Sequence, residues 1–442
     1  MNIQLSDHFT YKKLIRFTLP SVAMMIFTSI YGVVDGFFVS NYVGKTPFAA
    51  VNFIMPVIMI LGALGFMIGT GGCALFSKTL GEGDKKKANE LFSMLIYVSI
   101  ILGVFVALLG IVFIRPVASM LGATGQLLEY CVLYSRIIFI ALPAFMLQIE
   151  FQSFFITAEK PQLGLITTII SGCANMVLDW LFIAVFGWDI AGAASATAIS
   201  QALGGIIPLF YFFSKNDSLL RLTKTSFDRY AFIKTCTNGS SELMSNISMS
   251  LVGMLYNVQL MKYAGENGVA AYGVMMYVTM IFIAIFIGYS IGTAPVIGFH
   301  FGAKNSGDLK SLLRKSSVIL TVCSVFMLIC GIALAKPLSL IFVSYDKELF
   351  EMTFKGFIIY SFSFLFSGIA IFGSSFFTAL NNGFISALIS FLRTLVFQII
   401  AVMVFPLIWG LDGIWISVVI AELLATVVTF IFIFALRKKY NY

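Results

Sequence analysis

Histidine is nearly absent from this chain of 442 residues, which holds two, and charged side chains make up only 11% of it. A site built on His-Glu-x-x-His, or on a nucleophile with a histidine base, has almost nothing to form from, so an intramembrane enzyme is disfavoured. No Walker sequence occurs, which excludes ATP as the direct energy source. The six cysteines (Cys73, Cys131, Cys173, Cys236, Cys323 and Cys330) lie scattered through apolar stretches without metal-ligand spacing, and read as small buried hydrophobes. Neither a cofactor nor a metal is expected.

What the chain has in quantity is apolar surface. Hydrophobic residues make up 60% of it and the mean hydropathy is +0.99, outside the range of a soluble globular protein. Windows of about 20 or more apolar residues cross a hydrocarbon core of roughly 30 Å. Twelve are expected, at about 14–39, 48–77, 89–114, 127–149, 161–186, 190–213, 235–263, 268–298, 312–335, 352–376, 382–408 and 411–436, with boundary errors of about two to four residues. The first follows Lys12, Lys13 and Arg16, but it is too long for a secretory signal and lacks a small-residue cleavage site. The fold class expected is an all-α polytopic membrane protein.

The net charge of +8 is topological. Lys78, Lys85, Lys86 and Lys87 follow helix two, Lys160 helix four, Lys215, Arg221, Lys224, Arg229 and Lys234 helix six, Lys304, Lys310, Arg314 and Lys315 helix eight, and Arg437, Lys438 and Lys439 end the chain. With the N-terminal group, all fall on one side of twelve crossings, while the opposite loops hold little more than Lys45, Arg115, Lys262, Lys336, Lys347 and Lys355. The positive-inside rule puts both termini in the cytoplasm. The basic residues are accounted for without nucleic acid.

The chain is internally duplicated. A shift of 221 residues takes Gly44 to Gly265, Ala49-Ala50 to Ala270-Ala271, Met59-Ile60 to Met280-Ile281 and Gly71 to Gly292 without a gap. "SFFITAEKP" from Ser153 resembles "SFFTALNNG" from Ser375 at nearly the same shift. The basic loop after helix two falls on the basic loop after helix eight, so the repeats are parallel, about an axis along the membrane normal. The domains expected are a six-helix lobe at 1–213, a cytoplasmic linker at 214–234 and a six-helix lobe at 235–442. Two such lobes enclose a cleft, the usual basis of alternating access.

Few acids fall within the apolar windows: Asp35, Glu150, Asp179, Glu242 and Glu422. Each costs at least about 2.5 kcal/mol at mid-bilayer and needs a partner, a wet cavity or a proton. Counted at 1.5 Å per residue, Asp35, Asp179 and Thr197 all sit roughly 6 to 11 Å from the outer boundary, and one pocket in the first lobe can hold them. In "NMVLDW", Asn175 and Asp179 are four apart and share a helix face. Two carboxylates together in low dielectric cannot both stay ionised cheaply; one takes a proton, or a cation binds between them. Carboxylate, amide and hydroxyl oxygens are hard ligands that suit a small cation.

These residues resemble the multidrug and toxic compound extrusion (MATE) transporters, in particular their MepA-like bacterial branch. The likeness covers nearly the whole chain. It rests on Pro20 and Asp35 fifteen apart, "NMVLDW" with Thr197 eighteen residues after Asp179, "GEGD" at Gly81 to Asp84, and "TAEKP" at Thr157 to Pro161. The resemblance implies a coupling site for H+ or Na+ at Asp35, Asn175, Asp179 and Thr197, and a bend near Pro20 linked to its protonation. Glu242 looks like the family's second-lobe carboxylate, a substrate or cation site. The helix-ten aspartate that accompanies it in some relatives is missing from Phe357 to Ser375.

Glu150 and Glu422 are candidates for the pathway, with Arg136 and Arg393 as their possible ion-pair partners, and His300 is expected at the surface. The function expected is a secondary antiporter of the bacterial plasma membrane, acting as a monomer and exporting amphipathic, cationic organic molecules. The alternative, a lipid-linked oligosaccharide flippase, calls for several Lys or Arg inside the cavity to grip pyrophosphate.

Overall fold

The structure, a computed structural model, describes residues 3–344 and 346–442, and of Lys45 the backbone only. Every regular element among these residues is helical. Seven helices each cross once: α1 (Tyr11–Val43), α2 (Lys45–Gly81), α3 (Lys85–Met120), α4 (Gly125–Thr157), α5 (Pro161–Val185), α6 (Asp189–Phe213) and α9 (Ser306–Val343).

Two helical runs are too long for one crossing: Arg229–Gly302, of 74 residues, and Gly383–Tyr440, of 58. Each turns at a glycine of positive φ, Gly265 at 61° and Gly410 at 56°, a conformation that residues with a β-carbon resist. That the runs fold back is set by what they bring together. Tyr256 stacks on Tyr272 at 5.5 Å between centroids, and Arg393 pairs with Glu422 at 2.9 Å; along straight helices these pairs would be about 24 and 43 Å apart. The runs are therefore the hairpins α7 (229–264) with α8 (266–302), and α11 (383–409) with α12 (411–440). Between them, α10 consists of Lys347–Ser361 and Phe364–Ala379, bent by 48° at the break.

Twelve crossings result, as the hydropathy led one to expect, but the helices overrun their apolar windows. The largest excess is at α9, Ser306–Val343 against a window of 312–335, and α4 likewise continues to Thr157 rather than ending near 149. Glu150, Gln148 and Ser153 dilute the hydropathy there while facing protein rather than lipid. α7 starts at Arg229, inside the stretch read as linker, because Asp228 accepts the Ala231 N–H as its cap. The irregular segment 214–228 is held along α3: the Arg221 N–H donates to Asn89 and the Thr223 N–H to Ser93, each at 2.8 Å.

The duplication is visible in the backbone. Left-handed residues recur at shifts of 221 to 223: Gly44 with Gly265, Gly83 with Lys304, Glu159 with Asn381 and Gly187 with Gly410. On the outside of the first lobe, Ile101, Phe105, Leu108 and Val112 form an exposed stripe along α3 at helical spacing, the surface a bilayer would cover.

The lobes meet on the basic half. Second-half residues of α2 pack backbone to backbone on α7 and α8; a β-carbon at Gly81 would strike the Phe299 carbonyl and one at Gly239 the Met67 carbonyl. Thr18, Ser21 and Val22 of α1 fit against Gly288 and Gly292 of α8. The segment before α1 straps this side. The Leu5 N–H donates to Glu159 of the first lobe at 2.6 Å, His8 bonds Asp308 of the second, and Lys315 donates to the Phe9 carbonyl at 2.6 Å. Burial raises the Glu159 carboxyl above its ordinary range.

Candidate functional site

Helices α1 and α5 run side by side because Gly172 leaves room. A β-carbon there would lie 2.6 Å from the Phe27 ring and 2.9 Å from that of Tyr31. Two turns further along, the close approach sets Asp35 and Asp179 within hydrogen-bonding reach of each other. Asn175 lies one turn below Asp179 on the same face, and Thr197 comes in from α6. The structure brings Asp35, Asp179 and Thr197 around Tyr134, with Asn175 on the Asp179 face of α5.

The polar atoms in this pocket lack partners. Asp179 and Asn175 are 0% and 1% exposed, and both oxygens of Asp179, both amide atoms of Asn175, Oδ1 of Asp35 and the Thr197 hydroxyl are buried without a hydrogen bond to a donor or acceptor of fixed protonation. No ion pair among the described residues includes either carboxyl. Orphaned oxygens of this kind are costly unless a proton or a cation joins them. Two further side chains, missed in the sequence, line the site: Tyr134 of α4 faces both carboxyls and Thr197, and Tyr31 lies beside Asp35. A tyrosine inside an apolar window is a faint signal for such a role.

Both carboxylate helices leave α geometry at this level. α1 opens into a wider π-helical turn at Val39–Val43 and α5 at Trp180–Val185, just beyond Asp35 and Asp179. Such turns are frequent at functional sites. At the other end of α1, the helix passes through Pro20 unbroken, although the Pro20 nitrogen cannot donate to the turn below.

A separate cavity of about 720 Å³ lies between the lobes. Its walls carry Met25 and Phe66 from the first lobe and Met249, Tyr256, Tyr272, Met276, Tyr277 and Tyr360 from the second. These are the flexible and aromatic surfaces that fit varied apolar shapes. Glu242, Arg393 and Glu422 are the charged groups on its wall. Arg393 Nε donates to both Glu422 oxygens, at 3.1 and 2.9 Å.

Two expectations need correction. Glu150 does not line the cavity: it is 0% exposed, packed behind Gly69 of α2 and beside Ser99, and Arg136 points outward, away from it. His300 is not at the surface but 2% exposed, with Nδ1 3.9 Å from Asp308. The extra turn of α8 beyond its apolar window carries it under the N-terminal strap.

Known proteins share this architecture. The multidrug export protein MepA of Staphylococcus haemolyticus is 26% identical over 436 residues, covering 97% of this chain and 94% of that one. MepA of Staphylococcus aureus strain MRSA252 is 25% identical, with the same coverage. An outward-facing multidrug resistance MATE transporter of the MOP superfamily superposes with a TM-score of 0.94 at 23% identity, over 100% of this chain and 98% of that one. A MATE crystal structure in the bent conformation gives 0.89 at 24%, over 98% of each. The MatE profile matches twice, at residues 20–181 and 243–404, once in each half of the duplication. Twelve crossings, two parallel repeats and this double match give one result: the chain belongs to the MatE family of multi-pass membrane transporters.

Proposed function

We propose that this protein is a secondary antiporter of the bacterial plasma membrane that exports amphipathic organic cations in exchange for H+ or Na+. The observation that carries the reading is the Asp35 and Asp179 juxtaposition, a fully buried carboxyl against a half-buried one with neither in an ion pair among the described residues, away from the cavity between the lobes. A transported cation that neutralises one site changes the packing of the helices that form it, and a cavity elsewhere releases its cargo in response. The linkage is reciprocal, so cargo and ion each lower the affinity for the other.

In this reading both termini are cytoplasmic, since the basic ends then face inward. The lobes, 1–213 and 229–442 with 214–228 between them, are sealed on the cytoplasmic half and open around the cavity toward the outside. A cation entering from outside reaches Asp35 and Asp179, with Asn175 and Thr197 completing an oxygen shell. Loss of the carboxylate charge lets α1 repack about Pro20 and press on the cavity wall next to Met25. The cargo leaves, and the empty lobes rock to the opposite side as a monomer. The MepA relatives are named for multidrug export, and a wall of methionines and tyrosines suits loosely defined amphipathic cargo. One arginine, already paired with Glu422, is a poor grip for a pyrophosphate-linked sugar.

The test is Asp179→Asn in proteoliposomes. Dye efflux driven by a proton or sodium gradient is expected to fall to the level of empty liposomes, with dye binding in detergent retained. Undiminished gradient-driven efflux would overturn the reading.

A further inference from the structure

The charge on the cavity wall has an internal structure. Of the three charged side chains there, Arg393 and Glu422 are committed to each other and largely withdrawn from water, at 16% and 6% exposed. Glu242, from α7, lines the same cavity and belongs to no ion pair among the described residues; Arg393 is the cation whose field reaches it. The rest of the lining is neutral. Taken as ionised in a water-filled cavity, the three groups count −1, +1 and −1 and leave one negative charge unmatched.

The fold itself does not require the Arg393 and Glu422 pair. A shift of 222, which takes Ser153 to Ser375, places Ser171 of the first lobe opposite Arg393, and across the following turn, where the shift varies from 221 to 223, Glu422 falls opposite the stretch Ile199 to Gln201. There the Ser171 hydroxyl donates to the Ser200 carbonyl at 2.7 Å and accepts from Gln148 at 3.0 Å, a neutral link between the same two helices. Removing two charges from water is expensive where a neutral link serves. In the second lobe the exchange for an ion pair occurs on the cargo wall, and Arg393 is carried in a π-helical turn, Leu392–Val396.

We infer that Arg393 sets the charge class of the cargo: by cancelling Glu422 it leaves Glu242 as the single unbalanced carboxylate, so the cavity selects amphipathic molecules of one positive charge over dications. A second positive charge enters a largely apolar chamber without a counter-charge and loses its hydration. This rests on the export reading of the cavity but not on the coupling site in the first lobe.

The test is equilibrium binding to the purified full-length protein of two probes with similar aromatic bodies, tetraphenylphosphonium and an aryl bis-phosphonium. Wild type is expected to favour the monocation by at least about tenfold, one unit of charge pairing at cavity scale. Arg393→Gln, with two uncancelled carboxylates, shifts the ratio toward the dication by a similar factor, and Glu422→Gln weakens monocation binding. Each single change leaves a buried charge unpaired and can fail to fold; the double variant Arg393→Gln with Glu422→Gln keeps a neutral link, restores the count to −1 and is expected to bind with the wild-type ratio. Glu242→Gln leaves the pair intact and is expected to lose at least about tenfold of monocation affinity. A double variant with a ratio shifted toward the dication, or a Glu242→Gln protein that binds the monocation like wild type, overturns the inference. If wild type binds neither probe, it is the export reading of the cavity that fails.

Discussion

The two lobes share a backbone and differ in what they do with buried charge. Their chains superpose in sequence at a shift near 221, down to the positions of left-handed residues. Yet where the first lobe sets Asp35 against Asp179 without a partner, the second has no acid at the corresponding places, Tyr256 and the pair Ala401-Val402, and where the second holds Arg393 against Glu422, the first joins the same two helices through the Ser171 hydroxyl and the Ser200 carbonyl. One lobe carries an unsatisfied acidic site away from the cavity; the other carries a satisfied ion pair and one free carboxylate on the cavity wall. Duplication supplied the frame twice, and in the function proposed above polar substitutions on it divide the work between a site for a small ion and a wall for cargo.

The comparison breaks most completely if the first-lobe acids are neutralised. Asp35→Asn or Asp179→Asn is expected to remove the linkage between ion and cargo, a change of about 5–150-fold in the dependence of cargo affinity on the cation. Binding titrations across pH and sodium concentration measure it. In the second lobe, Glu422→Gln leaves the Arg393 guanidinium buried without its partner. A loss of up to about 3–5 kcal/mol is expected, read as a lowered unfolding midpoint in detergent, with the double neutral variant recovering most of it.

A smaller effect tests the geometry rather than the charge. Gly172→Val forces α1 away from α5 by overpacking, at about 1–3 kcal/mol. Gradient-driven efflux is expected to drop severalfold while dye binding in the cavity stays near wild type. The smallest effect lies in the linker between the lobes. The Asp228 carboxyl is held below its ordinary range by the Ala231 N–H and then by Lys87, so its contribution is complete above about pH 4 and fades as the pH falls through the depressed value. Asp228→Ala is expected to cost about 1 kcal/mol near neutral pH, as a lost helix cap does. The difference in unfolding midpoint from wild type shrinks in acid.

Much of this was legible in the residues. Twelve crossings, the parallel repeat and the sidedness of the basic loops follow from hydropathy and charge, because a bilayer imposes both on any chain that spans it. The pairing of Asp35 with Asp179 was legible too, since depth along a helix is a matter of counting residues. Rotation about the helix axis was not. Glu150 and Glu422 look alike in the sequence, yet one is walled in behind Gly69 and the other faces the cavity, which neighbouring helices decide and local spacing does not. The tyrosines on the cavity wall, and Tyr134 over the acid pair, escaped for the same reason. His300 was misplaced because α8 runs on past its apolar window.

The most direct measurement is the separation of the lobes on the face opposite the basic loops, read between spin labels at Gln126 and Glu348, both exposed. In wild type the distance distribution is expected to shift when protons or sodium are added without cargo, and in the Asp35→Asn and Asp179→Asn double variant it is expected to stay fixed in one state. A double variant whose lobes still move with the cation as wild type does would contradict the assignment of ion coupling to the acid pair.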